Sequence, residues 1–327
     1  MLVTGLGSLP GTDMATAIRR TFEQVPDFPY LPELPARGPW AAMIGRGLGL
    51  VAGIGADFEA GVWRLAPTAG VDLRRARTTL RDDLDMLEEA AQGYTGPFKA
   101  QVTGPWTLAA CVMAAHTRRV LADPGARRDV AQAVAEGVRQ LVAGLRARLP
   151  GCELLVQVDE PALPAVLAGA VPTPGGAFRH TAIELPEVAT ALGWVAAAAA
   201  PAAPAIHCCA PGLPIAALCT QAGFAAVSLD VGNLAGPDFE ALAELLEAGK
   251  CFWMGALPTG GLDRPCGVDE LRERGLQTLE RVGVAPPDQL ALTPACGLAG
   301  FAQRDVAAAF AALRKAAAQV EEELAAG

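Results

Sequence analysis

Short, continuously apolar stretches alternate with longer segments of helical spacing along this chain. The apolar stretches occupy residues 2–6, 98–102, 154–158, 203–206, 225–229, 252–254 and 290–292. Because they are apolar throughout rather than alternately apolar and polar, they are typical of strands buried on both faces. The segments with helical spacing include residues 73–92, 126–148, 187–200, 213–222, 239–248, 269–282 and 301–324. Strand followed by helix, repeated along the chain, predicts an α/β fold with a parallel sheet.

The strand pattern favours a closed barrel over an open, doubly wound sheet. Seven strands are well signalled, and an eighth is expected within residues 30–70, where the pattern is weak. A (β/α)8 TIM barrel has eight strands and commonly forms one domain of more than about 250 residues. No linker rich in Gly, Ser and Pro divides the 327 residues. We therefore expect residues 1–327 to form a single barrel domain, with its reactive groups at the carboxyl ends of the strands.

Composition and charge limit which binding partners and which cellular compartment are expected. A formal net charge of −9 and the absence of a basic stripe disfavour nucleic acid and anionic membranes as partners. The apolar stretch 195–203 is interrupted by a proline and is shorter than the about 20 residues that span a bilayer. The N-terminus lacks the pattern of a signal peptide, so the eight cysteines are expected to be reduced thiols in the cytoplasm.

Potential metal ligands follow three of the predicted strands. His207 and Cys209 are two positions apart, so on an extended strand end both side chains point to the same face, while Cys208 points away. Asp230 ends the next strand, and Cys296 follows the last one. Two thiolates, an imidazole and a carboxylate form a ligand set that suits Zn²⁺. The sequence therefore predicts a zinc site gathered by the fold.

Simpler interpretations remain for the same residue types. A single Cys is more often a small buried hydrophobic residue than a metal ligand. The pairs Asp82–Asp83 and Glu88–Glu89 are interpreted as a solvated helix face. Glu33 and Arg37 lie in a proline-rich loop and are assigned at most weak substrate contacts.

Six motifs, in order, resemble the catalytic C-terminal barrel of cobalamin-independent methionine synthase. This family belongs to a superfamily that includes uroporphyrinogen decarboxylase and zinc-dependent methylcobalamin:thiol methyltransferases. The motifs are Gly-Leu-Gly-Ser-Leu-Pro at 5–10, Val-Thr-Gly-Pro-Trp-Thr at 102–107, Val-Gln-Val-Asp-Glu-Pro-Ala-Leu at 156–163, His-x-Cys at 207–209, Val-Ser-Leu-Asp at 227–230 and Thr-Pro-Ala-Cys-Gly-Leu at 293–298. They run from one end of the chain to the other, as expected of a short, single-barrel member.

The resemblance implies a zinc-dependent methyltransferase that methylates a thiol, most simply homocysteine to give methionine. His207, Cys209 and Cys296 match the zinc ligands of the family, and Asp230 stands where the family has a ligating Glu. Zinc removes the proton of a bound thiol, and the thiolate then attacks the methyl group.

The resemblance also implies a substrate pocket. Asp159 matches the carboxylate that holds the amino group of homocysteine, and is the expected catalytic residue. Gly7 and Ser8 match the segment that receives the substrate carboxylate. Glu160 is expected to contribute to substrate binding, either directly or by supporting Asp159.

Three departures from the family bear on the methyl donor and on alternative functions. Cys111 stands where the family has a Trp that stacks on folate, and the turn at 255–260 lacks the His implicated in protonating the leaving group. The Gly-Glu-x-Glu-Arg-Asn stretch has no counterpart within residues 40–70. The donor is therefore expected to be methylcobalamin or a corrinoid protein, with methyltetrahydrofolate as the other choice. A regulatory zinc-binding barrel, or a decarboxylase or lyase on the same fold, remains an alternative.

Overall fold

The structure is a computed structural model that describes residues 1–115, 118–260, 266–283 and 286–326. Its strands are β1 (Leu2–Val3), β2 (Gly55–Glu59), β3 (Val62–Ala66), β4 (Gly96–Thr103), β5 (Met113–Ala115), β6 (Arg118–Arg119), β7 (Cys152–Asp159), β8 (Ala203–Cys208), β9 (Ala226–Asp230), β10 (Cys251–Leu257) and β11 (Leu290–Pro294). Its helices are α1 (Met14–Gln24), α2 (Met43–Leu50), α3 (Val71–Ala90), α4 (Pro105–Cys111), α5 (Pro124–Arg148), α6 (Leu163–Leu167), α7 (Leu185–Ala198), α8 (Ile215–Thr220), α9 (Gly236–Glu247), α10 (Val268–Val282) and α11 (Gln303–Ala326).

The predicted parallel strands form one sheet. Its order is β1-β11-β10-β9-β8-β7-β4, and every neighbouring pair is parallel. Each of the seven well-signalled strands is present, and helices alternate with them as predicted. The pairing of β4 with β7 runs without a break from Gly96 opposite Cys152 to Thr103 opposite Asp159. This register brings the carboxyl ends of the two strands to the same level.

The segment 29–33 joins the two edge strands of this sheet. On one side Leu31 N donates to Lys99 O (2.9 Å) in β4, and on the other Glu33 N donates to Gly7 O (3.0 Å) just after β1. The eighth strand predicted within 30–70 therefore lies at the start of that range, as two isolated parallel bridges rather than a regular strand. Pro29 and Pro32 explain the weak pattern, because proline has no N–H to donate to a ladder.

A second, smaller sheet uses the rest of the poorly signalled region. Strands β2 and β3 form an antiparallel hairpin, and the sheet order is β2-β3-β5-β6. Strands β5 and β6 belong to the connection that follows β4, so this sheet lies beside the carboxyl end of the main sheet.

Aromatic and small side chains fill the interior of the barrel at its amino-terminal end. Phe28 packs edge-on against Trp253 with ring centres 5.5 Å apart. Ala205, Ala226 and Ala291 complete this buried cluster, and their small size leaves room for the two rings. The apolar cluster closes this end, so the polar interior side chains lie toward the other end of the barrel.

The surrounding helices bury one face each against the sheet. Helix α5 begins at the cap Asp123, whose side chain accepts a hydrogen bond from Ala126 N (3.0 Å), and Pro124 occupies its first turn. Its buried positions include Val130, Val134 and Val138, which recur every four residues. Within the described ranges, no helix combines the length and apolar character needed to cross a membrane.

Candidate functional site

The side chains of His207, Cys209 and Cys296 converge at the carboxyl ends of β8 and β11. Their potential ligand atoms all lie within 4.8 Å of one another. The two sulfur atoms are 3.5 Å apart. Gly255 in β10 permits this approach, because a Cβ there would lie only 2.9 Å from Cα of Ala295. The chain that leads to Cys296 therefore crosses close over β10.

A buried serine fixes the orientation of the His207 ring. Nδ1 lies 3.2 Å from the carbonyl oxygen of Ser228 and 3.1 Å from its hydroxyl. A carbonyl oxygen only accepts, so Nδ1 carries the proton and donates it. The lone pair of Nε2 is then the one available to a metal, which is the arrangement usual for a ligating histidine.

The two thiols are hydrogen-bonded to each other, with their sulfur atoms 3.5 Å apart. A hydrogen bond with Cys209 and the neighbouring His207 ring lower the pKa of Cys296 to about 4, with a smaller contribution from the Gly297 N–H, although burial opposes this. The same contact with Cys296, together with burial, raises the pKa of Cys209. The pair thus favours one thiolate, and a cation bound there would favour release of the second proton.

Asp230 lies outside this group of three. It ends β9 as predicted, but Oδ1 accepts from Gly232 N (2.8 Å) and Oδ2 from Asn233 Nδ2 (3.2 Å). The carboxylate therefore caps the turn that follows β9. Asn233 Nδ2 also donates to Cys209 O (2.9 Å), so Asp230 is connected to the cluster through the backbone of a ligand candidate. The structure does not bring Asp230 together with the other three side chains.

Asp159 ends β7, and Gln157 holds its carboxylate. Gln157 Nε2 donates to Asp159 Oδ1 (2.6 Å) and to Leu6 O (3.1 Å). Burial raises the pKa of Asp159 to about 7; the charge of Glu33 adds to the rise, while His207 opposes it. Asp159 is thus a buried carboxylate at the mouth of the barrel, one strand away from His207.

Gly7 and Ser8 lie beside the turn that carries Cys296. Leu298 N donates to Ser8 O (2.7 Å), and a Cβ on Gly297 would lie 1.9 Å from Ser8 Oγ. Gly7 has φ +125°, and a Cβ there would lie 2.9 Å from the side chain of Gln101. Glycine at 297 therefore lets the Ser8 hydroxyl lie against the residue that follows Cys296.

Glu160 binds the N-terminus of α4. Its Oε1 accepts from Trp106 N (2.9 Å), and its Oε2 accepts from Thr107 N (2.7 Å) and Thr107 Oγ1 (2.6 Å). Burial raises the pKa of Glu160 to about 7, and these three hydrogen bonds oppose the rise. Glu160 is fully buried. Its geometry favours support of α4 and of the neighbouring Asp159 over the expected direct contact with substrate.

A buried ionic network lies behind segment 29–33. Arg37 Nη1 and Nη2 donate to the two oxygens of Asp83 (2.7 and 2.8 Å), and Arg46 Nη1 donates to Asp83 Oδ2 (2.8 Å). Arg46 Nε also lies 3.3 Å from Glu33 Oε1. The interpretation of Asp83 as a solvated residue is wrong, because its side chain is fully buried. Its spacing from Ala76 and Leu87, both buried on α3, was the available sign.

Lys99 is a buried cation that the strand pattern does not single out. It lies in β4 and is fully buried, and its ammonium donates to Gln101 Oε1 (3.4 Å). Burial lowers the pKa of Lys99 to about 7, although the charges of Asp159 and Glu33 oppose this. Lys99, Gln101 and Thr103 alternate along β4, so a period of two was the signal for this polar face.

Comparison with known proteins places the chain in a family. The family model described as the catalytic domain of cobalamin-independent synthase matches residues 80–319. The chain belongs to the cobalamin-independent synthase family. Membership of this family indicates an enzyme of methyltransferase type. No curated protein matches the chain.

Two solved structures share the fold. A B12-independent methionine synthase from Shewanella sp. W3-18-1, in complex with selenomethionine, is 16% identical with a TM-score of 0.69, and the match covers 100% of each chain. A methyltransferase from Methanosarcina mazei is 13% identical with a TM-score of 0.60, covering 94% of this chain and 84% of the other. At these identities the similarity establishes the barrel fold, which agrees with the fold of the cobalamin-independent synthases.

Proposed function

We propose that the protein is a zinc-dependent methyltransferase that transfers a methyl group to a thiol, most simply homocysteine to give methionine. The observation that carries this proposal is the convergence of His207, Cys209 and Cys296 within 4.8 Å. Two cysteine sulfurs and a histidine nitrogen are ligands that zinc prefers, and three protein ligands leave a position for a substrate atom. The orientation of His207 by Ser228 supports the same assignment.

The ligand atoms of His207, Cys209 and Cys296 suit zinc. Zinc bound here would hold a substrate thiol as its thiolate, whereas a free thiol with a pKa of about 8.5 is mostly protonated at neutral pH. Asp230 is our candidate for the carboxylate ligand, because it ends the strand next to the one that carries His207. Ligation by Asp230 requires it to exchange its bonds with Gly232 and Asn233 for the metal.

Two further elements are proposed to orient the amino acid. Asp159 binds its amino group, since a buried carboxylate favours a cationic partner. Ser8 and the backbone at Gly7 receive its carboxylate, beside the turn of Cys296. Glu160 supports Asp159 by fixing the N-terminus of α4 next to it.

A corrinoid donor is proposed over methyltetrahydrofolate. Trp106 follows the Thr-Gly-Pro motif, but it is 2% exposed and its Nε1 donates to Val188 O (3.4 Å). Its ring is therefore not available to stack on a pterin, and Cys111 offers no aromatic surface. The described turn 255–260 has no histidine to protonate a folate leaving group. The reduced cobalt that leaves methylcobalamin needs no proton.

Methionine formation tests this proposal. Zinc-loaded protein is incubated with homocysteine and either methylcobalamin or methyltetrahydrofolate, with Cys296→Ser as the control that lacks a ligand. We expect methionine from methylcobalamin, slower or no formation from the folate, and none with the variant. Faster turnover with the folate would reverse the choice of donor. Inactivity with free methylcobalamin, with a methylated corrinoid protein and with the folate would contradict the proposed activity.

A further inference from the structure

Two loops on one side of the barrel mouth carry basic side chains without acidic ones. They follow β4 and β7, and residues 104–122 and 161–183 contain neither Asp nor Glu. The two loops are neighbours, because the carboxyl ends of their strands pair at Thr103 and Asp159. The formal net charge of the chain is −9, so positive charge is concentrated here against the overall balance. Such a local concentration favours an anionic ligand.

Arg119 connects the two loops. Its Nε donates to Pro172 O (3.2 Å) in the loop after β7, and its Nη1 donates to Cys111 O (3.4 Å) at the end of α4. These bonds hold the guanidinium in place. Its other N–H groups meet no acceptor among the described residues and remain available to a ligand.

Arg118 and Arg179 add positive charge beside Arg119. Arg118 Nη2 donates to Ala122 O (3.3 Å), and Arg179 Nη1 donates to Ala170 O. Within the described ranges, all three arginines thus bond backbone carbonyl oxygens rather than carboxylates. Their charges are therefore not neutralised by ion pairs of the protein itself.

The Asp123 carboxylate lies near Arg118 but serves the neighbouring helix. The hydrogen bond from Ala126 N and, to a smaller extent, the charge of Arg118 lower the pKa of Asp123. This bond caps α5, and the described structure has no ion pair between Asp123 and an arginine. Asp123 thus leaves the guanidinium of Arg118 free to bind an anion.

A short hairpin over residues 171–180 presents an exposed aromatic ring beside these arginines. Pro172 and Arg179 form an antiparallel bridge, and Thr173 N donates to Phe178 O (2.8 Å). Although the backbone is held in this way, Phe178 is 76% exposed, more than any other large hydrophobic residue that the structure describes. A ring fixed in an exposed position can stack on a ring of a ligand.

His180 relates the ring to the arginines. Burial, and then the charges of Arg119 and Arg118, lower the pKa of His180, so both guanidiniums lie close enough to act on the imidazole. Phe178 and His180 flank the bridged Arg179, and alternate residues of an extended strand lie on the same face. The exposed ring and the two guanidiniums are therefore on the same side of the hairpin.

We propose that Arg118, Arg119 and Phe178 bind the nucleotide tail of a corrinoid methyl donor, with the guanidiniums on its phosphodiester and the ring on its base. Guanidinium groups bind phosphate oxygens through charge-assisted hydrogen bonds, and aromatic side chains stack on bases of any identity. This inference rests on the proposed function, because it assigns a subsite to the proposed donor. It makes the tail, which takes no part in methyl transfer, a source of affinity.

Equilibrium dialysis of the zinc-loaded protein against methylcobalamin and methylcobinamide tests the subsite. Both molecules carry the methyl group on cobalt, but methylcobinamide lacks the nucleotide and its phosphodiester. The wild type is expected to bind methylcobalamin at least about tenfold more tightly, and Arg119→Gln to lose most of this preference. Arg314→Gln, on the exposed face of α11, is the matched control and should keep the preference.

Two further variants extend the test. Phe178→Ala should weaken methylcobalamin binding by about fivefold, as expected for the loss of one stacked base. If Arg119→Gln does not fold, Arg118→Gln is dialysed instead, because Arg118 is exposed and does not connect the two loops. Inorganic phosphate is the competing probe. Binding of inorganic phosphate as tight as that of methylcobalamin would show a site for any phosphate and overturn the assignment to the donor.

The outcomes separate the subsite from the proposed activity. A preference that the arginine variant keeps in full would overturn the subsite, and so would equal binding of the two corrinoids by the wild type. Methionine formation from either corrinoid would then leave the proposed methyltransferase standing. Failure of the wild type to bind either corrinoid would also overturn the subsite. In that case, methionine formation from methyltetrahydrofolate would spare the methyltransferase, whereas none from any donor would overturn both.

Discussion

The sulfur atoms of Cys209 and Cys296 lie 3.5 Å apart, although strands β9 and β10 separate the strands that carry them. The curvature of the sheet and the close crossing over Gly255 bring them together. With His207 they form the group on which the proposed zinc chemistry depends.

Substitution of the paired cysteines is expected to abolish zinc retention. Cys209→Ser and Cys296→Ser each remove one of the three converging donors, and a serine hydroxyl is a much poorer zinc ligand than a thiolate. Metal analysis of the dialysed protein measures the effect. Cys208→Ala is the matched control, because the Cys208 thiol is buried and donates to Ala210 O instead. Zinc content equal to the wild type in both serine variants would exclude the site.

Oxidation of the metal-free protein is expected to join the same two cysteines. With the sulfurs 3.5 Å apart, a two-electron oxidant such as diamide takes up the two thiol hydrogens as the S–S bond forms. Intact-mass analysis should show the loss of two hydrogens, and peptide mapping should place the bond between Cys209 and Cys296. The oxidised protein should no longer take up zinc, and prior zinc loading should protect it. A bond through Cys208 instead would contradict the geometry.

Asp230 and Glu160 are expected to act on different properties. Asp230→Ala should lower zinc retention, both by removing a candidate ligand and by releasing Asn233 from the backbone of Cys209. Glu160→Ala should leave zinc content unchanged and weaken substrate binding. It also leaves donors of Trp106 and Thr107 unpaired, which should lower the free energy of unfolding by about 1–3 kcal/mol. Metal analysis, thiol titration and urea unfolding separate these effects. Equal zinc content in Asp230→Ala and the wild type would remove this carboxylate from the ligand set.

Burial of Lys99 is expected to make stability depend on pH on the alkaline side. Its pKa is lowered from 10.5 to about 7 in the folded protein, so between these values the unfolded chain binds more protons than the folded one. Under this condition the free energy of unfolding rises with pH. The wild type should therefore gain stability relative to Lys99→Met as the pH increases from about 7 to about 10. Urea unfolding across this range measures the difference, and Lys315→Met, on the exposed face of α11, is the control. A difference that is independent of pH would contradict the buried, uncharged lysine.

The sequence predicts the barrel and most of the metal group because those features are local in the chain. Each apolar stretch indicates by itself that its residues are buried. His207, Cys209, Asp230 and Cys296 each lie within a few residues of the end of such a stretch. The parts that the pattern does not reveal depend on partners far along the chain. Segment 29–33 pairs through only two bridges and is interrupted by prolines.

The charged residues behind the pocket show the same limit. Aspartate is usually found at the protein surface, and the contacts of Asp83 with Arg37 and Arg46 explain why it is buried here. Glu33 is likewise buried because Gln101 and Arg46 contact its carboxylate and its backbone pairs with Ser8. The sequence likewise does not predict that the Asp230 carboxylate accepts hydrogen bonds from Gly232 and Asn233.

X-ray absorption at the zinc edge tests the central claim most directly. In the zinc-loaded protein we expect two sulfur ligands at about 2.3 Å together with nitrogen or oxygen ligands, and addition of homocysteine should raise the number of sulfur ligands to three. The same increase in Cys208→Ala, which lacks the neighbouring thiol outside the group of three, would assign the third sulfur to the bound homocysteine. A sulfur count that stays at two in the presence of saturating homocysteine would contradict the account.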